Sequence, residues 1–150
     1  MEMPIDYKKT DKALYQPKTA PSVIDVPEMV FIMADGKGNP NTSGEYKTAV
    51  EILYGLSWTI KMSKKSGTQP IGYFDYTVPP LEGLWWLNDG SEAWYKDKDK
   101  YCWTSMIRQP EFVTADAFEA AKTAGVCVHT SCFTSPSRLQ LCRHPPASPR

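Results

Sequence analysis

The sequence predicts an α+β fold, an antiparallel sheet with helices on one face. A long stretch from about Ser43 to Lys65 carries apolar residues at helical spacing. Several short runs, Leu81–Leu87 and Tyr101–Gln109 the clearest, alternate apolar and polar residues with the period of a strand. Clusters of Gly, Pro, Asn and Asp separate these segments. The 150 residues, 41% of them hydrophobic, suffice for one domain with its own core.

Taken in order, residues 1–20 are polar and Lys-rich and read as an extended arm. The apolar run Val23–Ala34 is interrupted by Pro27, so one main strand is expected from about Met29 to Asp35. Gly36-Lys-Gly-Asn-Pro-Asn41 is a turn cluster. It lacks the third glycine of a dinucleotide fingerprint and the Gly-Lys-Ser/Thr of a phosphate loop, so turn geometry accounts for its glycines. Thr42 and Glu45 fit a capping box for the long helix. Tyr46, Ala49, Val50, Leu53, Ser57 and Ile60 form its inner stripe, and Gly67 supplies a left-handed stop. Tyr54 and Trp58 flank that stripe. They either finish the core or touch a ligand at the helix–sheet edge.

Ile71–Val78 reads as a second strand, with Tyr73 and Asp75 on one face and Phe74, Tyr76 and Val78 on the other. Pro79 and Pro80 then break pairing. In Leu81–Leu87, Glu82, Leu84 and Trp86 point one way, while Leu81, Gly83, Trp85 and Leu87 point the other. Asn88-Asp-Gly90 is a turn, and residues 91–100 form a charged, solvated loop. In Tyr101–Gln109, Tyr101, Trp103, Ser105 and Ile107 share one face, and Cys102, Thr104, Met106 and Arg108 the other. Thr114 caps a last helix with the stripe Ala117, Phe118, Ala121 and Ala124.

The formal net charge of zero gives no electrostatic case for nucleic acid or an anionic membrane. No apolar run approaches a membrane span and no secretory signal opens the chain, so a cytoplasmic protein is expected. A single Cys before Cys127 argues against a disulfide scaffold, and no motif calls for a cofactor.

The chain divides near Gly125. All 17 acidic residues precede it, and residues 126–150 hold three of the four Cys, both His and no Lys. Cys127, His129, Cys132, Cys142 and His144 are zinc-type ligands, but their spacing lacks the paired close Cys of zinc fingers, so no metal site is expected. The switch from Lys to Arg, with more Ser, Pro and Cys, fits an irregular tail or a shifted reading frame.

Three segments resemble the GyrI-like small-molecule-binding family, the effector-binding fold of several bacterial transcription regulators. They are Val30-Phe-Ile-Met-Ala-Asp-Gly-Lys-Gly-Asn-Pro40, Tyr46-Lys-Thr-Ala-Val-Glu-Ile-Leu-Tyr54 and Pro80-Leu-Glu-Gly-Leu-Trp-Trp86. Trp103-Thr-Ser-Met-Ile-Arg-Gln-Pro110 and Val113-Thr-Ala-Asp-Ala-Phe118 also match stand-alone members. The resemblance spans roughly residues 5–124. It implies a first βαββ module plus a connecting helix, with a second module largely missing after about residue 124. It also implies a cavity for cationic or aromatic drugs. Some stand-alone relatives are hydrolases that open the cyclopropane rings of DNA-alkylating natural products.

Three functions follow as alternatives. One is a binding domain for an aromatic or cationic small molecule. Glu82 would supply charge, and Tyr54, Trp58, Trp85, Trp86 and Trp103 stacking surface. The second is a hydrolase of electrophilic cyclopropane compounds, with Glu82 as the candidate catalytic carboxylate and Tyr73 as proton donor. The third is a truncated, non-functional product. Self-association into a homodimer is one way to rebuild a two-module arrangement.

Overall fold

The computed structural model describes residues 3–89, 97–125 and 139–143. The N-terminal arm is not extended. It folds into two single-turn helices, α1 (Tyr7–Thr10) and α2 (Lys12–Tyr15). Asp6 starts α1 by accepting a hydrogen bond from the Lys8 backbone N–H. Gln16 Nε2 donates to the Lys8 carbonyl at 3.0 Å and ties the end of α2 back to α1. Four-residue helices carry no periodicity, so the sequence pattern could not reveal them.

Strand β1 (Val30–Lys37) runs two residues beyond the expected Asp35. Gly36 therefore lies within the strand, opposite Trp103. A Cβ at Gly36 would overlap the indole ring of Trp103, so the glycine is there to admit that ring. Helix α3 (Gly44–Met62) follows, capped by Ser43, whose Oγ accepts from the Tyr46 N–H at 3.3 Å. The cap is thus Ser43 and not Thr42. A 3₁₀ turn at Ser63–Ser66 extends the helix to Gly67, whose φ of 68° provides the expected left-handed stop.

Residues 71–78 form no strand. Their one ladder contact is a parallel bridge between Tyr76 and Ile5. The alternation there has a different cause. Tyr73, Phe74 and Tyr76 gather their rings around Phe112, with centroids 5.1, 5.2 and 6.0 Å away.

Strands β2 (Leu81–Leu87) and β3 (Tyr101–Gln109) fall where expected. So does α4 (Ala115–Gly125), where Thr114 Oγ1 accepts from the Ala117 N–H at 3.3 Å. The segment read as an irregular tail contributes a short strand, β4 (Leu139–Cys142). The strands form one antiparallel sheet in the order β2-β3-β1-β4. No helix among the described residues is long and apolar enough to cross a membrane.

The α+β architecture is the expected one, with α3 and α4 on one face. Ile32 and Ala34 of β1 and Trp103 and Ile107 of β3 pack there against Leu53, Leu56 and Ile60 of α3 and Phe118 of α4. Tyr46 meets Trp103 edge-on at 5.1 Å. Buried Gln109 donates to Ser57 Oγ at 2.9 Å, and Ser57 donates to the Leu53 carbonyl at 2.8 Å, so these polar atoms enter the core partnered. The opposite face is also covered. Met29, Phe31, Met33 and Met106 form a second cluster there, with Leu14 of α2 packed against it.

Two glycine substitutions test this packing. Gly36→Ala should destabilise the protein by about 1–3 kcal/mol in urea unfolding, because the Trp103 ring must shift. Gly55→Ala, in α3 with open space around its Cβ, should stabilise it by about 0.5–1 kcal/mol. A neutral Gly36→Ala would contradict the placement of the indole over β1.

Candidate functional site

Alternation along β2 decides what Glu82 can meet. Its Cα partner on β3 is Met106, so its side chain stands on the face away from α3 and α4. Leu84 and Trp86 share that face on β2, and Thr104 and Arg108 share it on β3. An apolar cleft of about 270 Å³ lies over Glu82. Its walls are Met29 and Phe31 of the β1 region, Met106 of β3, Leu84 of β2, Leu14 and Tyr15 of α2, and Ile24 and Val26 of the connecting segment.

Tyr15 is the nearest polar partner. Its hydroxyl donates to Glu82 Oε1 at 3.3 Å, across 67 residues of chain. That distance is long for an O–H···O contact. Arg108, with only 7% of its side chain exposed, donates through Nη1 to Asp11 Oδ2 at 2.6 Å. Its guanidinium also lies 4.0 Å from the ring centre of Tyr7.

Burial pushes the Glu82 carboxyl above its ordinary range, since desolvation penalises the charged form. The Tyr15 hydrogen bond and the Arg108 charge pull it back only partly. Tyr15 is raised as well, first by burial, while contact with Arg108 lowers it. Tyr7 is raised by burial above all, and its hydroxyl has no partner. The site is thus a protonatable carboxyl beside a neutral phenol at the floor of an apolar cleft.

The structure divides the expected site residues between the two faces. Only Glu82 and Trp86 share one, and Trp86 does not line the cleft. Trp103 is fully buried in the helix-side core. Trp85, 40% exposed, lies on the helix side against Tyr46 and Tyr101. Tyr54 packs on the same core from α3, and Trp58 is exposed on α3. Tyr73 is not beside Glu82 either, because its hydroxyl donates to the Lys61 carbonyl at 2.7 Å. Sequence reasoning missed Tyr15, Asp11 and Arg108 as parts of the site. Arg108 lies on the expected face of β3, and a charged residue on a buried strand is the signal that marks it.

Among the described residues no group of three or more His, Cys, Asp or Glu is placed to hold a metal ion. Cys127, His129, Cys132 and His144 of the zinc-type set lie outside the described residues.

No family model matches the chain, and no curated protein does. Among solved structures it is similar to a hydrolase from Listeria innocua at 45% identity and a TM-score of 0.75, over 93% of this chain and 64% of that one. A second hydrolase structure from the same organism matches at 46% identity and 0.79, over 94% and 66%. An uncharacterized conserved protein, also from Listeria innocua, matches at 47% identity and 0.78, over 93% and 66%. The chain therefore spans 64–66% of the length of these structures.

The raised carboxyl has a consequence for stability. The folded state holds the Glu82 proton to higher pH than the unfolded chain, which releases it near 4.5. Stability is therefore lost as pH rises through the raised value. Glu82→Gln removes that loss and keeps an acceptor for Tyr15. Its melting temperature should exceed that of the natural chain at pH 8, and the difference should shrink below pH 4.5. Equal melting temperatures at pH 8 would contradict the burial of Glu82.

Proposed function

We propose that this chain carries the reacting carboxyl of a hydrolase of GyrI-like type. Its substrate would be an uncharged, apolar electrophile of the cyclopropane class. The observation that carries the proposal is Glu82, desolvated at the floor of an apolar cleft and hydrogen-bonded to Tyr15. The similarity to two hydrolases at 45% and 46% identity supports the reaction class. The resemblance of Val30–Pro40 and Pro80–Trp86 to GyrI-like proteins supports the substrate class.

The chemistry follows from the setting. In its ionised form Glu82 takes a proton from water as the water oxygen bonds to the strained ring carbon. The ring C–C bond breaks, and its electron pair moves to a conjugated carbonyl oxygen, which takes a proton from solvent. Glu82 returns its own proton to solvent, so the net change is addition of one water. Tyr15 fixes the carboxyl's orientation through the step. Desolvation makes the carboxylate a stronger base than an exposed one. The apolar walls hold the substrate and exclude bulk water.

Binding of a cationic drug without chemistry is less well supported. A cation would have to enter beside Arg108. Of the described tryptophans, only Trp86 stands on the Glu82 face, so the stacking cage expected from the sequence is not assembled around the carboxylate.

Turnover of a spirocyclopropyl dienone, followed by loss of its absorbance, tests the proposal. Product should pass one equivalent, and the rate should fall as pH is lowered along a limb whose midpoint lies above 4.5. Glu82→Gln should lose about 100-fold or more in kcat. A variant within a few-fold of the natural rate would remove Glu82 from the reaction.

A further inference from the structure

The N-terminal arm reaches the site through one cation. Tyr7 of α1, Asp11 between the two helices and Tyr15 of α2 all approach Arg108 of β3. The Arg108–Asp11 contact is short and its guanidinium is withdrawn from solvent. The arm has few other polar ties to the rest of the chain. The principal ones are the backbone pairing of Ile5 with Asp75 and Thr77, at 2.9 and 2.8 Å, and the Tyr15–Glu82 contact itself. Beyond Tyr15, residues 16–29 have no regular secondary structure, and Val23, Ile24 and Val26 are exposed. Leu14, Tyr15, Ile24 and Val26 nevertheless supply one wall of the cleft.

We propose that the Asp11–Arg108 ion pair is a latch, and that Asp11 and Arg108 are positioning residues. Closed, the latch holds α2 against the sheet, sets the Tyr15 hydroxyl on Glu82 and completes the cleft wall. Open, it swings Leu14 and Tyr15 away and admits substrate to the carboxyl. A buried guanidinium suits this task. Stacking on Tyr7 and a charge-assisted bond to Asp11 fix its orientation together. Local opening of a short arm costs far less than unfolding the sheet beneath it. The proposal rests on Glu82 being the reacting carboxyl, but its test needs no substrate.

Two readouts on the full chain decide it. In hydrogen exchange, Asp11→Asn should expose the amides of residues 6–16 about tenfold more than in the natural chain, while those of residues 101–109 stay unchanged. Asp11→Glu, which keeps the charge, should restore most of that protection. Tyr7→Phe, which removes a hydroxyl without a partner, should leave it intact. In carbon NMR titration, Tyr15→Phe should move the Glu82 midpoint upward in the natural background, because the Tyr15 hydrogen bond lowers it. With Asp11→Asn already present, the same substitution should move it little, since the arm is then released. An equal shift in both backgrounds, or arm protection that ignores the charge at position 11, overturns the latch. Loss of protection in the sheet equal to that in the arm also overturns it, because the pair would then be a contact of the whole fold. A chain that shows the coupling but turns nothing over would keep the latch and lose the hydrolase.

Discussion

Strand β3 is buried along its whole length and on both faces, and the rest of the structure answers to that constraint. One face meets α3 and α4. The other meets the N-terminal arm. Side chains alternate, so the polar residues of β3 enter both interiors, where three of them find a partner and Ser105 Oγ has none. Gln109 finds Ser57, Thr104 donates to Asp35 at 2.5 Å, and Arg108 finds Asp11. The last of these draws the arm onto the sheet. Without a covering layer, Glu82 on the neighbouring strand would be a solvated carboxylate like any other. With it, the carboxyl sits in a cleft whose walls oppose its charge.

The two faces of the sheet differ in what they hold. The helix side holds most of the described aromatic surface, including Trp103, Tyr76 and the rings around Phe112. Trp103 there is wholly buried and serves packing. The arm side holds flexible methionines, a half-buried acid and a buried base, with an apolar cleft beside the acid. Methionines adapt their shape at low cost, which suits the wall of an open cleft. The separation explains why aromatic content alone was a poor guide to the site.

How much of this was legible in the sequence depends on the distance over which each signal acts. Helix α3, strands β2 and β3, and α4 are written in local periodicity and recur where that periodicity puts them. The facing of Glu82 and Trp86 apart from Trp85 followed from alternation alone. Four features were not local. The helices of the arm are one turn each, and packing forms them. Residues 71–78 alternate because their rings close on Phe112, and pairing plays almost no part. Tyr15 meets Glu82 across 67 residues, which no pattern in either segment announces. The four-residue strand at Leu139–Cys142 lies inside a stretch whose composition resembles no strand, and it pairs along the far edge of β1.

The central claim is that the fold desolvates Glu82 and thereby raises its proton affinity. Carbon NMR of the natural chain, labelled at glutamate and assigned with Glu82→Gln, measures that affinity directly. The account predicts a Glu82 midpoint clearly above 4.5. A Glu82 midpoint at or below 4.5 would contradict it, and would return the carboxylate to the solvent-facing role that many strand glutamates have.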